Sequence, residues 1–258
     1  RQVRFVIPAS LLGLEQVPSE GTLRQRMDAH AEAFRPVVET AAVTFLRNVG
    51  APITPLANGL VPLDCDVTPF DNSKTRKAGV SRTDKGCDGF APMAAYLGQE
   101  GWTLELEMRE GSQHCQKGTP EFLGRVLARA RGLTKRGLLL RLDSGNDAID
   151  NIAVVEAHNE QHPDALPVRY IIKWNPRQES REQWLAHAEE HAEWVEPRPG
   201  KCVATFDVIV QREDADYAYS LRRVMRVVER TIDKHGQHLL VPEVEIEGWW
   251  TSLWADPE

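Results

Sequence analysis

The chain has 258 residues, of which 41% are hydrophobic and 27% charged, and its formal net charge is -7. This composition is typical of a globular protein that is long enough to bury a core. No uninterrupted apolar stretch of about 18 residues occurs, and the basic start of the chain is not followed by the apolar core of a secretory signal. We therefore expect a cytoplasmic protein without a membrane span. The four cysteines are widely spaced and include no CxxC pair, which argues against a disulfide framework and a zinc knuckle.

The acidic charge is concentrated in the second half of the chain. Residues 146–258 carry 12 basic and 22 acidic residues, whereas residues 61–145 carry 13 and 11. Within the latter, segment 71–86 holds five basic and two acidic residues among small hydroxyl and glycine positions. A loop of this composition can bind phosphates or be a solvated flexible loop, and composition alone does not separate the two.

The first predicted element is a long helix. Residues 19–48 carry apolar side chains at three- and four-residue steps, and Ser19 or Thr22 can cap the helix. A connection rich in Pro and Gly follows. Beyond it, the pattern predicts strands at 60–67, 91–97, 103–108, 137–143 and 168–173. It also predicts two helices, one with Thr119 as N-cap and Pro120 at its first position, and one that begins near Ile149.

Three strands, a helix, a strand, a helix and a strand follow one another in the order of an RNase H-like fold. We therefore predict an α/β protein with a mixed sheet and flanking helices. After residue 175 the pattern changes to a helix at 179–195 and long β-type runs at 201–210 and 217–253. These features divide the chain into an N-terminal helical segment (1–59), the first part of the core (60–175) and a mostly β insertion (176–258).

Three carboxylates fall at strand positions that suit metal binding. Asp64 and Asp66 are two residues apart on one predicted strand, so their side chains share a face, and Asp143 ends another strand. Carboxylate oxygens are suitable ligands for Mg²⁺ or Mn²⁺. The alternative is that these residues only hydrogen-bond to loop amides at strand ends.

Four segments then show a resemblance to a known family. Residues 63–73, 79–92, 109–123 and 140–147 resemble, in order and with matching intervals, motifs of the DDE group 1 transposases of bacterial insertion sequences. The resemblance covers roughly residues 15–255. It implies an RNase H-like catalytic domain in which Asp66, with Asp64 as the close alternative, and Asp143 bind two Mg²⁺ ions.

The resemblance also implies a third carboxylate, a Glu on a helix after the Trp-Trp-Thr-Ser-Leu segment at 249–253. The corresponding helix would begin after residue 258, so we expect this chain to be a fragment that lacks the catalytic Glu. The alternatives within the chain are Glu243, Glu245 and Glu247. They alternate along a strand-like run, which indicates that they lie on the solvent-exposed face of that strand.

Two segments are the candidates for DNA contact. The basic loop and the turn before the Thr119 helix carry the residues predicted to bind phosphates: Lys74, Arg76, Lys77, Arg82, Lys85, Arg109, His114 and Lys117. The alternative for His114 is a loop residue with satisfied hydrogen bonds, and a zinc site of His114 with Cys115 or Cys87 has too few ligands. Trp249, Trp250 and Trp254 either stack on bases or belong to the core.

Together these features predict a DNA transposase. It would hydrolyse the phosphodiester bond at the element end and then use the freed 3′-hydroxyl to attack target DNA. Its expected partners are the DNA of the element ends and the target, with a homodimer left open. Two alternatives remain: a truncated remnant that binds DNA without catalysis, and a metal-dependent nuclease of the same fold. A Ser-His-Asp hydrolase has no support, because the chain contains no G-x-S-x-G elbow.

Overall fold

A computed structural model of the chain describes residues 18–177, 179–213 and 216–254. The helices are α1 (Glu20–Ala29), α2 (Ala31–Asn48), α3 (Thr119–Arg131), α4 (Ile149–Gln161) and α5 (Arg181–His191). The strands are β1 (Val61–Val67), β2 (Phe70–Asp71), β3 (Ser81–Arg82), β4 (Asp88–Phe90), β5 (Met93–Leu97), β6 (Trp102–Glu107), β7 (Leu138–Leu142), β8 (Val168–Lys173), β9 (Trp194–Arg198), β10 (Lys201–Glu213), β11 (Ala218–Ile232) and β12 (His238–Thr251).

One large mixed sheet organises the chain. Its nine strands have the order β6-β5-β1-β7-β8-β12-β11-β10-β9. The central strands β1, β7 and β8 are parallel, and the strands on both sides pair antiparallel. Helices flank this sheet, so the fold is mixed α/β and compatible with an RNase H-like core, as the order of elements predicts.

The core lies between the central strands and two helices. Leu138, Leu140 and Phe122 are fully buried, and helix α3 packs against β6 and α4 while α4 packs against β8. Parallel strands joined by crossover helices are expected to be almost continuously apolar, and four of the five residues of β7 are leucine. Burial of this apolar run fixes β7 in the middle of the sheet.

The N-terminal segment differs from its prediction. Instead of one helix over 19–48, the chain forms α1 and α2 with a break at His30, and Ser19 caps α1 as predicted by accepting a hydrogen bond from the backbone of Thr22 at 3.2 Å. Only Val43 and Leu46 of these helices are buried. The predicted periodic positions, such as Val38, are largely exposed, because the end of α2 contacts the core rather than the whole apolar stripe. Within the described ranges, no helix combines the length and hydropathy that crossing a membrane requires.

The start of α3 is shifted by one residue from its prediction. Gly118 occupies the N-cap position with a φ of 77°, a left-handed conformation that favours glycine, and Thr119 is the first helical residue. The Thr119 hydroxyl donates to the carbonyl oxygen of Cys115 at 2.7 Å instead of capping the helix. The side chain therefore ties the preceding turn to the helix.

Three long antiparallel strands extend the sheet beyond the core. Strands β10, β11 and β12 have 13, 15 and 14 residues, and β12 joins the core sheet through its pairing with β8. The mostly β pattern predicted for 176–258 is therefore present in the described part of that segment. Three short strands that the sequence did not indicate, β2, β4 and β3, form a separate small sheet.

A buried arginine connects the extension to the core. Arg223 on β11 is 2% exposed, and its guanidinium carbon lies 4.8, 4.6 and 4.8 Å from the ring centroids of Trp174, Trp184 and Trp250. Glu179 accepts two hydrogen bonds from Arg223, at 2.9 and 3.0 Å. Burial raises the pKa of Glu179, but the hydrogen bonds and charge of Arg223 outweigh it and leave this pKa below its ordinary value. The carboxylate therefore stays charged and fixes Arg223 among the three rings.

We expect Arg223→Met to lower the free energy of unfolding by about 2–4 kcal/mol, because it removes two charge-assisted hydrogen bonds and the cation–π contacts. Arg226→Met is the matched control on the opposite face of β11, where Arg226 and Glu247 form a half-buried ion pair that contributes about 1 kcal/mol. Urea denaturation measures both variants. Equal effects of the two substitutions would contradict the role assigned to Arg223.

Candidate active site

Two aspartates lie side by side at the carboxyl ends of neighbouring parallel strands. The register of β1 and β7 ends with the pair Asp64 and Arg141, and two residues further along each chain lie Asp66, still on β1, and Asp143, directly after β7. Neighbouring strands are about 4.8 Å apart, and residues at matched positions of parallel strands point to the same face. The topology therefore brings Asp66 and Asp143 together, although 77 residues separate them in the chain.

Both aspartates line one open cavity of about 990 Å³. Its wall also contains Arg82 and Lys85 from the β3–β4 hairpin, and His114 from the turn before α3. The cavity therefore joins two carboxylates that can hold a cation to cationic and imidazole groups that can contact a phosphate. Thr83 and Asp84, which sequence analysis did not single out, line the same wall.

The structure separates the roles of Asp64 and Asp66. Both oxygens of Asp64 accept hydrogen bonds from Arg141, one of them at 2.6 Å. Asp64 is not among the residues that line the cavity, whereas Asp66 is exposed there and accepts a hydrogen bond from the backbone of Val67 at 2.8 Å. The bidentate ion pair takes up the oxygens that a metal would need, so Asp66 is the better placed of the two predicted ligands.

The two segments predicted to contact DNA are packed against each other. Gly111 allows this contact, since a Cβ atom there would lie 2.1 Å from the carbonyl oxygen of Ser81 and 2.4 Å from that of Gly89. The backbone of Ser112 also donates to the Ser81 hydroxyl at 2.8 Å. The small sheet and the 109–117 turn thus form one wall of the cavity.

The predicted basic residues do not all reach this wall. Arg82 and Lys85 line the cavity, next to the acidic partners Asp88 at 3.6 Å and Asp84 at 4.0 Å. The others are exposed outside the cavity lining: Lys74, Arg76, Lys77 and Lys117. Contact of these residues with DNA stays a prediction.

The structure differs from the prediction that Arg109 contacts DNA. It is 4% exposed, and its guanidinium donates to Glu107 and to the carbonyl oxygen of Cys115, both at 2.7 Å. A third hydrogen bond of 3.2 Å reaches the Thr119 hydroxyl. A guanidinium buried in such contacts cannot reach a DNA phosphate, so Arg109 stabilises the turn instead.

His114 is an exposed member of the cavity wall. Its Nδ1 accepts a hydrogen bond from the backbone of Gln116 at 3.2 Å, so the neutral ring carries its proton on Nε2. The Sγ atom of Cys115, also in the wall, donates to the carbonyl oxygen of Gly145 at 2.9 Å. Burial and the charge of Asp143 raise the pKa of Cys115, which keeps this thiol protonated.

The three glutamates on β12 are engaged elsewhere. Glu247 pairs with Arg226 at 3.0 Å and with Lys173 at 3.5 Å. Glu245 and Glu243 pair with Arg230 at 2.6 and 3.7 Å. None of the three lines the cavity, so this strand supplies an ion-pair ladder on one face of the sheet.

The donor set at the cavity fits a divalent cation only in part. Asp66 and Asp143 supply the hard oxygen ligands that Mg²⁺ and Mn²⁺ prefer. Within residues 18–177, 179–213 and 216–254, however, no group of three or more His, Cys, Asp and Glu side chains is arranged to hold a metal ion. The described residues therefore offer two carboxylates of such a site.

The tryptophans near the end of the chain have different environments. Trp250 is 3% exposed and packs in the core, where Arg212 and Arg223 lie against its ring. Trp254 is 66% exposed, and its ring lies 5.1 Å from the guanidinium carbon of Arg222. For Trp250 the core interpretation is correct.

We expect Arg109→Met to lower the free energy of unfolding by about 2–4 kcal/mol, because it leaves buried hydrogen-bond partners unsatisfied. The same substitution at Lys117, an exposed residue of the same turn, is the control and should change stability by less than about 0.5 kcal/mol. Chemical denaturation measures both. A stable Arg109→Met variant with weakened DNA binding would restore Arg109 as a DNA contact.

The chain matches no protein-family model, and no curated protein matches it. Among solved structures, it is similar to a chain of the "Cryo-EM structure of piggyBac transposase synaptic complex with hairpin DNA (SNHP)", with 13% identity and a TM-score of 0.38. The similarity covers 87% of this chain and 41% of that chain. The chain thus spans less than half the length of the structure that it matches, and a similarity of this degree does not establish a shared family.

Proposed function

We propose that the chain carries a DNA transposase catalytic core, related to the DDE transposases of bacterial insertion sequences. In this proposal residues 60–175 form the RNase H-like core, residues 1–59 precede it and residues 176–258 are an insertion. Asp66 and Asp143 are the catalytic carboxylates. DNA of the element end and of the target is the substrate.

One observation carries this proposal: Asp66 and Asp143 occupy matched positions at the ends of two central parallel strands, beside a cavity with cationic groups on its wall. Both side chains are exposed carboxylates in the wall of the same cavity, and such oxygens are the ligands that Mg²⁺ and Mn²⁺ prefer. A structural role explains the arrangement less well, since neither side chain forms an ion pair of the kind that neutralises Asp64.

The chemistry would be an in-line displacement at a phosphodiester. Mg²⁺ or Mn²⁺ held by Asp66 and Asp143 would supply Lewis-acid activation of the phosphate and the attacking oxygen. In the first reaction water attacks the phosphorus, the bond to the 3′-oxygen of the element strand breaks, and this oxygen leaves as a 3′-hydroxyl. In the second, this hydroxyl loses its proton and attacks a target phosphodiester, and the 3′-oxygen of the target strand leaves as a hydroxyl. Arg82, Lys85 and His114 are placed to hold phosphate oxygens while the reaction proceeds.

A second function is supported by the incomplete donor set. With two carboxylates and no third acidic ligand among the described residues, the chain would bind DNA and a divalent ion without cleaving the phosphodiester. This is the truncated-remnant alternative. It shares the DNA surface and the metal site with the first proposal and differs only in turnover.

The test combines Mn²⁺ binding with cleavage of a labelled DNA duplex. We expect Asp66→Asn and Asp143→Asn to weaken Mn²⁺ binding and to reduce cleavage by more than about 100-fold. Loss of an outer-shell partner of a metal ligand already reduces affinity or activity by up to about 100-fold, and loss of a ligand itself should cost more. Asp64→Asn is the matched control, because Asp64 faces the same side of β1 but is paired with Arg141. It should keep the affinity for Mn²⁺.

The results separate the alternatives. Mn²⁺ and DNA binding without cleavage indicates the inactive remnant, and cleavage without joining of a 3′-hydroxyl oligonucleotide to a second DNA indicates a nuclease. An Asp64→Asn variant that loses Mn²⁺ while Asp66→Asn retains it would reverse the assignment. Absence of Mn²⁺ binding to the wild-type chain would contradict the proposed site altogether.

DNA binding by the basic loop predicts a strong dependence on salt. Each neutralised phosphate adds about 0.9 to the slope of log affinity against log salt concentration. We expect replacement of Lys74, Arg76, Lys77 and Lys85 by alanine to lower this slope by up to about 3.6, if each contacts one phosphate. Fluorescence anisotropy with a DNA duplex at several salt concentrations measures the slope.

A control variant removes the same charge elsewhere. Lys135, Arg136, Arg181 and Lys234 are exposed residues outside the cavity lining, and their replacement by alanine should leave the slope near its wild-type value. If both variants lower the slope equally, net charge rather than the 74–85 loop governs binding. An unchanged slope in the first variant means that the loop is only solvated.

A further inference from the structure

Asp143 is held by a side chain that sequence analysis did not identify. Asn146 lies three residues further on, in the 3₁₀ turn Ser144–Asn146 that follows β7, and is fully buried. Its Nδ2 donates a hydrogen bond of 2.9 Å to Oδ1 of Asp143. A carboxylate only accepts hydrogen bonds, so the amide nitrogen of Asn146 must face Asp143.

A second buried amide fixes Asn146. The Nδ2 atom of Asn151, a fully buried residue in the first turn of α4, donates to the carbonyl oxygen of Asn146 at 2.8 Å. Asn151 also forms a reciprocal amide pair with Gln116, with distances of 2.7 and 3.3 Å. The Thr119 hydroxyl lies 3.4 Å from Oδ1 of Asn146. A network of this kind restricts the rotamers of its members, because each alternative leaves a buried polar group unsatisfied.

The network also joins the turn after β7 to the turn before α3. The thiol of Cys115 donates to the Gly145 carbonyl, and a Cβ atom at Gly145 would lie only 2.5 Å from Sγ of Cys115. Gln116 is the neighbour of Cys115 and belongs to the amide pair with Asn151. The turn with Asp143 and the turn with His114 therefore interlock, which leaves little freedom for Asp143 relative to the cavity wall.

We propose that Asn146 is a positioning residue that orients the carboxylate of Asp143 for a divalent cation, an inference that rests on the proposed function. The hydrogen bond occupies one oxygen and leaves the other for the ion, in the geometry of an outer-shell partner of a metal ligand. Such partners fix ligand orientation, and their loss typically weakens metal affinity by about 10–100-fold. Asn151 and Gln116 keep Asn146 in place.

The test compares Asn146→Ala with Asn159→Ala. Asn159 lies at the other end of α4 and makes an equivalent number of amide hydrogen bonds, at 2.8 and 3.0 Å, to the backbone of Val168. Mn²⁺ titrations of the full chain, followed by the electron paramagnetic resonance of free Mn²⁺, should show binding about 10–100-fold weaker in Asn146→Ala and unchanged in Asn159→Ala. Urea denaturation verifies that both variants are folded.

A second measurement does not depend on metal. Mass spectrometry follows alkylation of Cys115 by N-ethylmaleimide, which should be several-fold faster in Asn146→Ala because the interlocked turns loosen, and unchanged in Asn159→Ala. Equal Mn²⁺ affinity of Asn146→Ala and wild type overturns the proposal. If the wild-type chain binds no Mn²⁺, the proposed function fails, and alkylation alone decides: a faster rate supports the positioning of the turn by Asn146, and an unchanged rate overturns it.

Discussion

The parallel pairing of β1 with β7 is the constraint on which the rest of this structure depends. Two parallel neighbours end at the same edge of a sheet, so whatever follows the last strand residues must meet there. Here Asp66 near the end of β1 and Asp143 directly after β7 come to the same edge, and the crossover between the strands supplies α3 on the buried face. A shift of one residue in this register would turn one of the two carboxylates toward the core.

The surroundings of this pair explain why charged groups persist at the edge of an apolar sheet. Asp64 is neutralised by Arg141, and Asp143 is hydrogen-bonded by Asn146. Among the residues that the structure describes, the one hydrogen-bond partner of Asp66 is the backbone of Val67. The arrangement leaves carboxylate oxygens open toward the cavity.

The extension of the sheet has a different physical basis. Strands β10 to β12 are long and antiparallel, and one face of them is covered by α5 while the other carries paired charges such as Arg226 and Glu247. Arg223 anchors this extension to the core because its guanidinium satisfies both Glu179 and the rings of three tryptophans. Several acidic residues of 146–258 are therefore paired with arginines of the same segment, as in Arg222–Asp207, Arg226–Glu247 and Arg230–Glu245. These pairs lie outside the cavity lining.

The sequence by itself determined the order of the core elements and the fold class, because the local periodicity of apolar residues reveals strands and helices without knowledge of their partners. It also predicted that Asp66 and Asp143 fall at the ends of strands, and the structure places both in the wall of one cavity. Only the tertiary structure decided that Arg109 is buried, that Asp64 is paired with Arg141, that the apolar stripe of α2 stays exposed, and that Asn146 contacts Asp143. The partner of Asp64 lies 77 residues away in the chain, and local patterns carry no information about such a partner. Arg109 and Asn146 have partners close in sequence, but their burial depends on which segments pack over the turns that carry them.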